Sequence, residues 1–376
     1  MRASVAVISF SPIASDSRVL RQLRSVGSSY SVLSVGYGPS PPGVAFHLEL
    51  PSSHSLFDKF LGILLLLLRR YSLFHGFWFH RRSIVSFLEQ HRVQVVILND
   101  VSSWPLARLF PVGNVILDAH EYSPQELSDQ LLWTLFLRPF KMWCSRFATL
   151  GAHRFCVEPH LCALWQSFSG CSFALLPNSS AYVPAPLSAP RASSTLRVLH
   201  HGVGHPSRRI ELMIEAINLA GPRFSGTFLL TGADRVYLHR LGLLSSASRC
   251  EILPPIPQED LIAHGASYDL AILSIYPSNL NYAHCLPNKL YQFIQSRLPI
   301  VCGPTPAIAQ IVRDYEIGVV ADDFSSAALA SALQSLTPTL LGQMRCNLER
   351  AALELCWERD CRPLLDAVQS VLNSGV

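Results

Sequence analysis

The stretch LRVLHHGVGHPSRRIELMIEA (196–216) decides the fold. Its apolar start, 196–202, reads as a buried strand ending in two histidines and a glycine. A polar turn follows, and apolar residues then recur at helical spacing over 208–220. The same strand–turn–helix unit opens the chain, where SVAVISF (4–10) precedes a helix carrying Val19, Leu20, Leu23 and Val26. A chain of 376 residues is too long for one ordinary core, so two starts of the same kind predict two α/β domains.

Outward from each start, short apolar strands alternate with helical patterns, which predicts parallel sheets. In the first half the strands are SVLSVGY (31–37), QVVILND (94–100) and NVILDAHEY (114–122). In the second they are TFLLTG (227–232), CEILPPI (250–256), DLAILSI (269–275) and PIVCG (299–303). Their polar or small carboxyl ends suit the edge at which an open α/β sheet meets its ligand. VPAPLSAPRASST (183–195), rich in Pro, Ala and Ser and without periodicity, reads as a linker. The expected domains are therefore 1–182 and 196–355. A helical 356–376 segment either closes the second domain or crosses back to the first.

Composition narrows the function classes. The chain is 49 % apolar and 15 % charged, which supports a sizeable core and argues against disorder. A net charge of +4 without a Lys/Arg block gives no footprint for nucleic acid. Ten cysteines without a Cys-x-x-Cys pair or zinc spacing read as reduced thiols of a cytoplasmic protein. The N-terminal apolar run is short and meets Asp16 and Arg18 at once, so it reads as a first strand rather than a signal peptide. FDKFLGILLLLLRRYSLFHGFWFHRR (57–82) stands apart. Its unbroken apolar core, Phe60 to Leu68, is shorter than the about 20 residues a bilayer span needs. Aromatic and Arg flanks suit an interfacial helix at the inner membrane face; a helix pair buried in the first domain fits equally.

Several motifs are missing. GYG at 36–38 is followed by proline rather than by a glycine-opened helix, so it reads as a hairpin or loop and not as a dinucleotide fingerprint. There is no P-loop, nucleophile elbow or His-Glu-x-x-His, and no Asp-x-Asp to hold a metal-bound diphosphate; no cofactor and no metal are expected. SDSRVLRQLRSVG (15–27), LDAHEYSP (117–124), HHGVGHPSRRIELMIEA (200–216) and LPNKLYQFIQSRLPIV (286–301) occur in this order around the linker. Together they resemble the GT-B glycosyltransferases, most nearly the GT4-type retaining enzymes of bacterial surface polysaccharides. The resemblance covers essentially the whole chain. It implies two Rossmann-like domains whose parallel sheets face a central cleft, the first binding a glycan or lipid-linked acceptor and the second a nucleotide diphosphate sugar.

Carried over residue by residue, the resemblance places His120 at the donor sugar or phosphate. Asp118 and Glu121 flank it, and a carboxylate there can set an imidazole tautomer. Asp16, Arg18, Asp100 and Asp118 fall to the acceptor side, with capping an equal reading for Asp100. Arg208 stands where the family has a phosphate-binding lysine, and a guanidinium can clamp a departing diphosphate. Arg209 fills a position usually held by glycine. Val203 follows Gly202 where a second basic residue is usual, so Arg209, His205 or Lys289 would have to supply that charge. Pro287, Asn288 and Lys289 open a helix whose free N–H groups suit a phosphate or sugar, and Lys289 is one of only three lysines, with Lys59 and Lys141. Gly232 would let a base or ribose approach closely, and Asn178 reads as a turn residue.

The family's two glutamates, eight positions apart, are here His284 and Gln292. A glutamine amide accepts one ribose hydroxyl bond and donates one, where a carboxylate accepts two. The weakening amounts to about 1–2 kcal/mol, or about tenfold in the donor's dissociation constant. The expected function is a retaining, metal-independent hexosyltransferase. The other readings are a nucleotide-sugar epimerase or hydrolase, and a non-catalytic scaffold of a polysaccharide assembly complex.

Overall fold

The computed structural model describes residues 3–184, 195–232 and 234–374. It divides into two units, Met1–Pro177 with Asn279–Asn281 and Asp360–Val376, and Asn178–Ser278 with Tyr282–Arg359. The first unit thus ends a little before the expected residue 182 and takes back the C-terminus from Asp360. The expected linker, 183–195, lies mostly outside the described residues.

The first unit is built on a seven-stranded sheet: β1 (Ser4–Pro12), β2 (Ser31–Tyr37), β3 (Phe46–Leu50), β4 (Val95–Asn99), β5 (Val115–Ala119), β6 (His153–Cys156) and β7 (Ala174–Leu175). Its order is β3-β2-β1-β4-β5-β6-β7, every pair parallel. Val5 to Ile8 and Val95 to Leu98 are buried throughout, because a central parallel strand is covered on both faces. Helix α1 (Ser17–Gly27) is capped by Asp16, whose carboxylate accepts from the Val19 N–H at 3.2 Å. Helices α2 (Leu56–Leu67), α3 (Tyr71–Trp78) and α4 (Arg81–Gln90) form the β3–β4 crossover, and α5 (Arg138–Ser145) lies between β5 and β6. Residues 38–45 are a loop that carries the chain from β2 to its parallel neighbour β3.

The second unit holds β8 (Leu196–Val203), β9 (Phe224–Thr231), β10 (Cys250–Leu253), β11 (Leu270–Leu273), β12 (Ile300–Cys302) and β13 (Gly318–Val320) in the order β10-β9-β8-β11-β12-β13. Alternate residues enter opposite cores. Val198, Phe228, Leu230 and Ile272 pack with the Ile210–Ala220 helix, whereas Leu199, Leu229, Ala271 and Leu273 pack with the Asn288–Gln295 helix. In each unit the strand order reverses beside the first strand, between β1 and β4 and between β8 and β11. Those reversals are where an open α/β sheet leaves room for a ligand at its carboxyl edge.

Candidate functional site

In the second unit β8 runs out at Gly202, whose φ of 137° belongs to glycine. A Cβ there would collide with Lys289 Nζ and Cε, so the lysine lies directly over the strand end. Lys289 enters from the first turn of the Asn288–Gln295 helix, which follows Pro287 and has no side-chain cap. Burial, then the nearby Arg208 guanidinium, lowers the Lys289 ammonium from 10.5 to about 7. Arg208 stacks over the Tyr282 ring at 4.7 Å. Neither cation forms an ion pair with any described residue.

Two histidines line the same strand end in neutral form. Burial and then Lys289 bring His201 down to about 3, and it packs edge-on to Phe293 at 4.7 Å. His200 is held well below its ordinary value mainly by burial; its Nδ1 bonds the Ile272 carbonyl at 2.9 Å, and its buried Nε2 has no partner among the described residues. Gln292 is only 6 % exposed, one helical turn after Lys289, and its side-chain amide bonds no described residue. Buried polar groups are normally paired, so this amide and the His200 nitrogen mark a surface built for a polar ligand.

Other expected residues have local duties. Arg209 takes the left-handed conformation, φ 46° and ψ 47°, at the start of the Ile210–Ala220 helix, which explains why a glycine would suit the position. Its guanidinium lies over Tyr276 at 3.9 Å. The Ile210 N–H donates to the Tyr237 hydroxyl at 2.9 Å, so that helix end is already capped by protein. Gly232, φ 148°, is required because a Cβ would meet the Gly204 carbonyl oxygen at 2.9 Å, a reason internal to the unit. The His205 side chain caps the short turn at Pro206–Arg208. Asn178 donates to the Leu286 carbonyl at 3.4 Å, as a turn residue does.

The first unit carries a second constellation at the ends of β4 and β5. His120 Nε2 meets Asn99 Oδ1 at 3.1 Å and lies 3.5 Å from an Asp118 oxygen. Both acceptors favour the tautomer with its proton on Nε2, which leaves Nδ1 as an acceptor. Asp100 follows with φ 59° and ψ 148°, backbone that glycine ordinarily supplies. Its carboxylate accepts from the Val101 N–H at 2.7 Å and from Lys141 at 3.3 Å. Burial alone would raise the Asp100 carboxyl; Lys141, His120 and that N–H overcome it and hold the group below its ordinary value.

Lys141 also pairs with Glu126 at 2.9 Å. Burial would lower its ammonium, but the Asp100 and Glu126 carboxylates prevail and raise it. Glu121 is pushed the other way: burial first, then the Glu126 and Asp100 carboxylates, lift it well above the usual carboxylate range.

Three acceptor-side expectations need correction. Arg18 is 3 % exposed, and its guanidinium grips Asp118 through two bonds of 2.7 Å. It also donates to the Leu176 and Pro177 carbonyls, at 2.9 and 3.3 Å. Asp118 is fully buried and takes a further bond from Gln22 at 2.6 Å. Burial would raise this carboxyl, yet Arg18 keeps it well below the usual range. Arg18 and Asp118 are thus a structural clamp, with Asp118 also steadying His120. The Asp16 carboxylate is committed to the Val19 N–H and to the Ser11 hydroxyl at 2.7 Å.

Sequence reading missed Asn99, Gln22, Glu126 and Lys141 in the first unit, and Tyr276 and Tyr282 in the second. Lysine scarcity, which drew notice to Lys289, would have singled out Lys141 as well. Among the described residues no group of three His, Cys, Asp or Glu side chains gathers as a metal site would.

No protein-family model matches the chain, and no curated protein sequence is detectably similar. Solved structures are similar over nearly its full length. Sucrose-phosphate synthase from Thermosynechococcus elongatus has 13 % identity and a TM-score of 0.74, covering 99 % of this chain and 100 % of the other. WaaG, a glycosyltransferase involved in lipopolysaccharide biosynthesis, has 13 % identity and a TM-score of 0.65, covering 96 % and 98 %. Anabaena HepE, solved in complex with UDP-glucose, has 11 % identity and a TM-score of 0.68, covering 99 % and 98 %. The likeness is one of fold, and the two parallel-sheet units are of the GT-B type.

Proposed function

We propose that this protein is a glycosyltransferase that moves a hexose from a nucleotide diphosphate sugar to a glycan or lipid-linked glycan. The observation that carries the proposal is the pair of cations at the end of β8. Lys289 lies over Gly202 with Arg208 nearby, neither pairs with a described carboxylate, and burial and then Arg208 lower the lysine's basicity. A diphosphate offers the missing negative charge at the first turn of the Asn288–Gln295 helix. The proteins of the same fold named above include one solved with UDP-glucose.

On this reading the cations stabilise charge where it grows, on the departing diphosphate. The C1–O bond to the diphosphate breaks, and the acceptor oxygen bonds C1 on the same face. The acceptor's proton passes to the leaving phosphate oxygen, so retention needs neither a protein nucleophile nor a metal. Within the second unit Gln292 holds the ribose, and in the first unit His120 offers Nδ1 to a substrate hydroxyl. Peripheral contact at the inner membrane face, with the chain on the cytoplasmic side, would bring a lipid-linked acceptor within reach.

Thermal shifts with UDP, GDP, ADP and their sugars test the donor site. We expect stabilisation by one nucleotide family, lost in Arg208→Ala and Lys289→Ala. Gln292→Glu should tighten the same nucleotide by about tenfold, since a charged acceptor replaces a neutral one. No stabilisation by any nucleotide at millimolar concentration would sink the enzyme reading and leave the scaffold reading. Weaker binding by Gln292→Glu would mean that this helix does not meet ribose.

A further inference from the structure

We infer that α2 and the 131–137 segment together form a docking surface for an anionic phospholipid bilayer. After Asp58 and Lys59 in its first turn, helix α2 is apolar through Leu67 but is covered on one side only. Its covered side is marked by Gly62, where a Cβ would meet the Trp78 ring at 2.8 Å and crowd Phe74, so α2 lies down on α3 along this glycine. Its other side presents Phe57, Phe60, Ile63, Leu64 and Leu67 to solvent at helical spacing, Phe57 being 71 % exposed. A surface helix normally carries charge on that face. Beside it, in contact with α2, the π-helical turn Trp133–Leu137 and the two leucines before it continue the surface. Leu131 and Leu132 are 73 % and 71 % exposed, and Leu135 and Phe136 are exposed with them. A contiguous apolar face of this kind is an interaction site rather than ordinary surface.

Charge chooses the occupant. Residues 56–82 contain five basic side chains, Lys59, Arg69, Arg70, Arg81 and Arg82, and one acid, Asp58. That excess of four equals the net charge of the whole chain. Asp58 is engaged in a capping box with Ser55, with bonds of 3.0 and 3.1 Å. Arg69 and Arg70 stand exposed at the C-terminal end of α2, and Arg138 stands exposed after the second apolar piece. An apolar face rimmed by arginines suits lipid tails below and acidic headgroups around. A second copy of the chain meeting this face about a two-fold axis would set Arg69 and Arg70 against like charges. Helix α2 has 12 residues and spans about 18 Å, short of the hydrocarbon core, so it would lie in the interface. Among the described residues no helix is long and apolar enough to cross a membrane.

Co-sedimentation of the full chain with vesicles tests the proposal and needs no nucleotide, so its failure is distinct from failure of the transfer reading. The chain should sediment with vesicles of phosphatidylcholine containing phosphatidylglycerol and far less with phosphatidylcholine alone. The triple change Phe60→Ser, Leu64→Ser and Leu67→Ser should lower partition by about a hundredfold, taking about half the full transfer value per side chain. Arg69→Glu with Arg70→Glu should lower binding to the acidic vesicles by at least about tenfold. These side chains face outward, so the thermal transition should not move. Should the triple variant misfold, Leu132→Ser with Leu135→Ser carries the same test from the other element. Equal binding to both vesicle types, undiminished binding by the serine variants, or a stable dimer that ignores vesicles would each overturn the proposal.

Discussion

At the scale of single residues, Lys289 makes the sharpest claim. Its ammonium titrates near 7 because it is buried beside Arg208, whereas the same lysine in the unfolded chain titrates at 10.5. Between those values the unfolded chain holds a proton that the native chain lacks, so this group makes stability rise with pH across the window. Binding a diphosphate reverses the preference, because the anion favours the ammonium. Nucleotide affinity, measured by titration calorimetry, should therefore fall above pH 7, by about tenfold per unit once Lys289 is neutral. Lys289→Arg, whose charge does not titrate in this range, should flatten the profile. An affinity that is level from pH 7 to 9 in the parent chain would show that Lys289 does not meet the anion. The rarity of lysine made this residue stand out by identity alone. Local pattern could not show the depressed basicity, which comes first from burial and then from a cation more than 80 positions away.

At the scale of elements, the strands that sequence patterning finds are β1, β2, β4 and β5, and β8 to β12; all but the edge strand β10, whose Glu251 and Leu253 are exposed, contain an unbroken buried run. The strands it misses are β3, β6, β7 and β13. β6 is HRFC, too polar and brief for an apolar run, while β7 has two residues and β13 three. Their pairing is fixed by neighbours distant in the chain rather than by local pattern. The same holds for the Arg18–Asp118 clamp. Both residues were legible as unusual charges at an α/β ligand edge, but their mutual pairing, 100 positions apart, was not. The clamp ties α1 to the end of β5 and to the chain leaving β7, so it should matter to stability more than to binding. Asp118→Ala leaves a buried guanidinium unpaired and should cost about 3–5 kcal/mol in urea unfolding. Replacing both partners with apolar residues should cost much less. Because the folded carboxyl lies below its unfolded value, its contribution is present above about pH 4 and lost as pH falls further. A loss under 1 kcal/mol for Asp118→Ala would remove the clamp from this account.

At the scale of the molecule, the two strand–turn–helix starts and the Pro-rich break between them made the two-unit plan legible. Ownership of the C-terminus was not, because a helical pattern does not say which sheet it covers. The Arg362–Ser374 helix buries Leu364, Ala367, Val368 and Val371, and it packs on β4 and β5 of the first unit. This helix thus belongs to the first unit, while Lys289 and Arg208 lie in the second. Weakening this helix should therefore separate the two stabilities. Leu364→Ala with Val368→Ala should destabilise the first unit by roughly 3–6 kcal/mol, the usual range for emptied core positions. Calorimetry should then resolve an early transition that nucleotide does not move and a later one that nucleotide still raises. A single transition that falls as a whole and still answers to nucleotide would show the units unfolding together, with the helix supporting both.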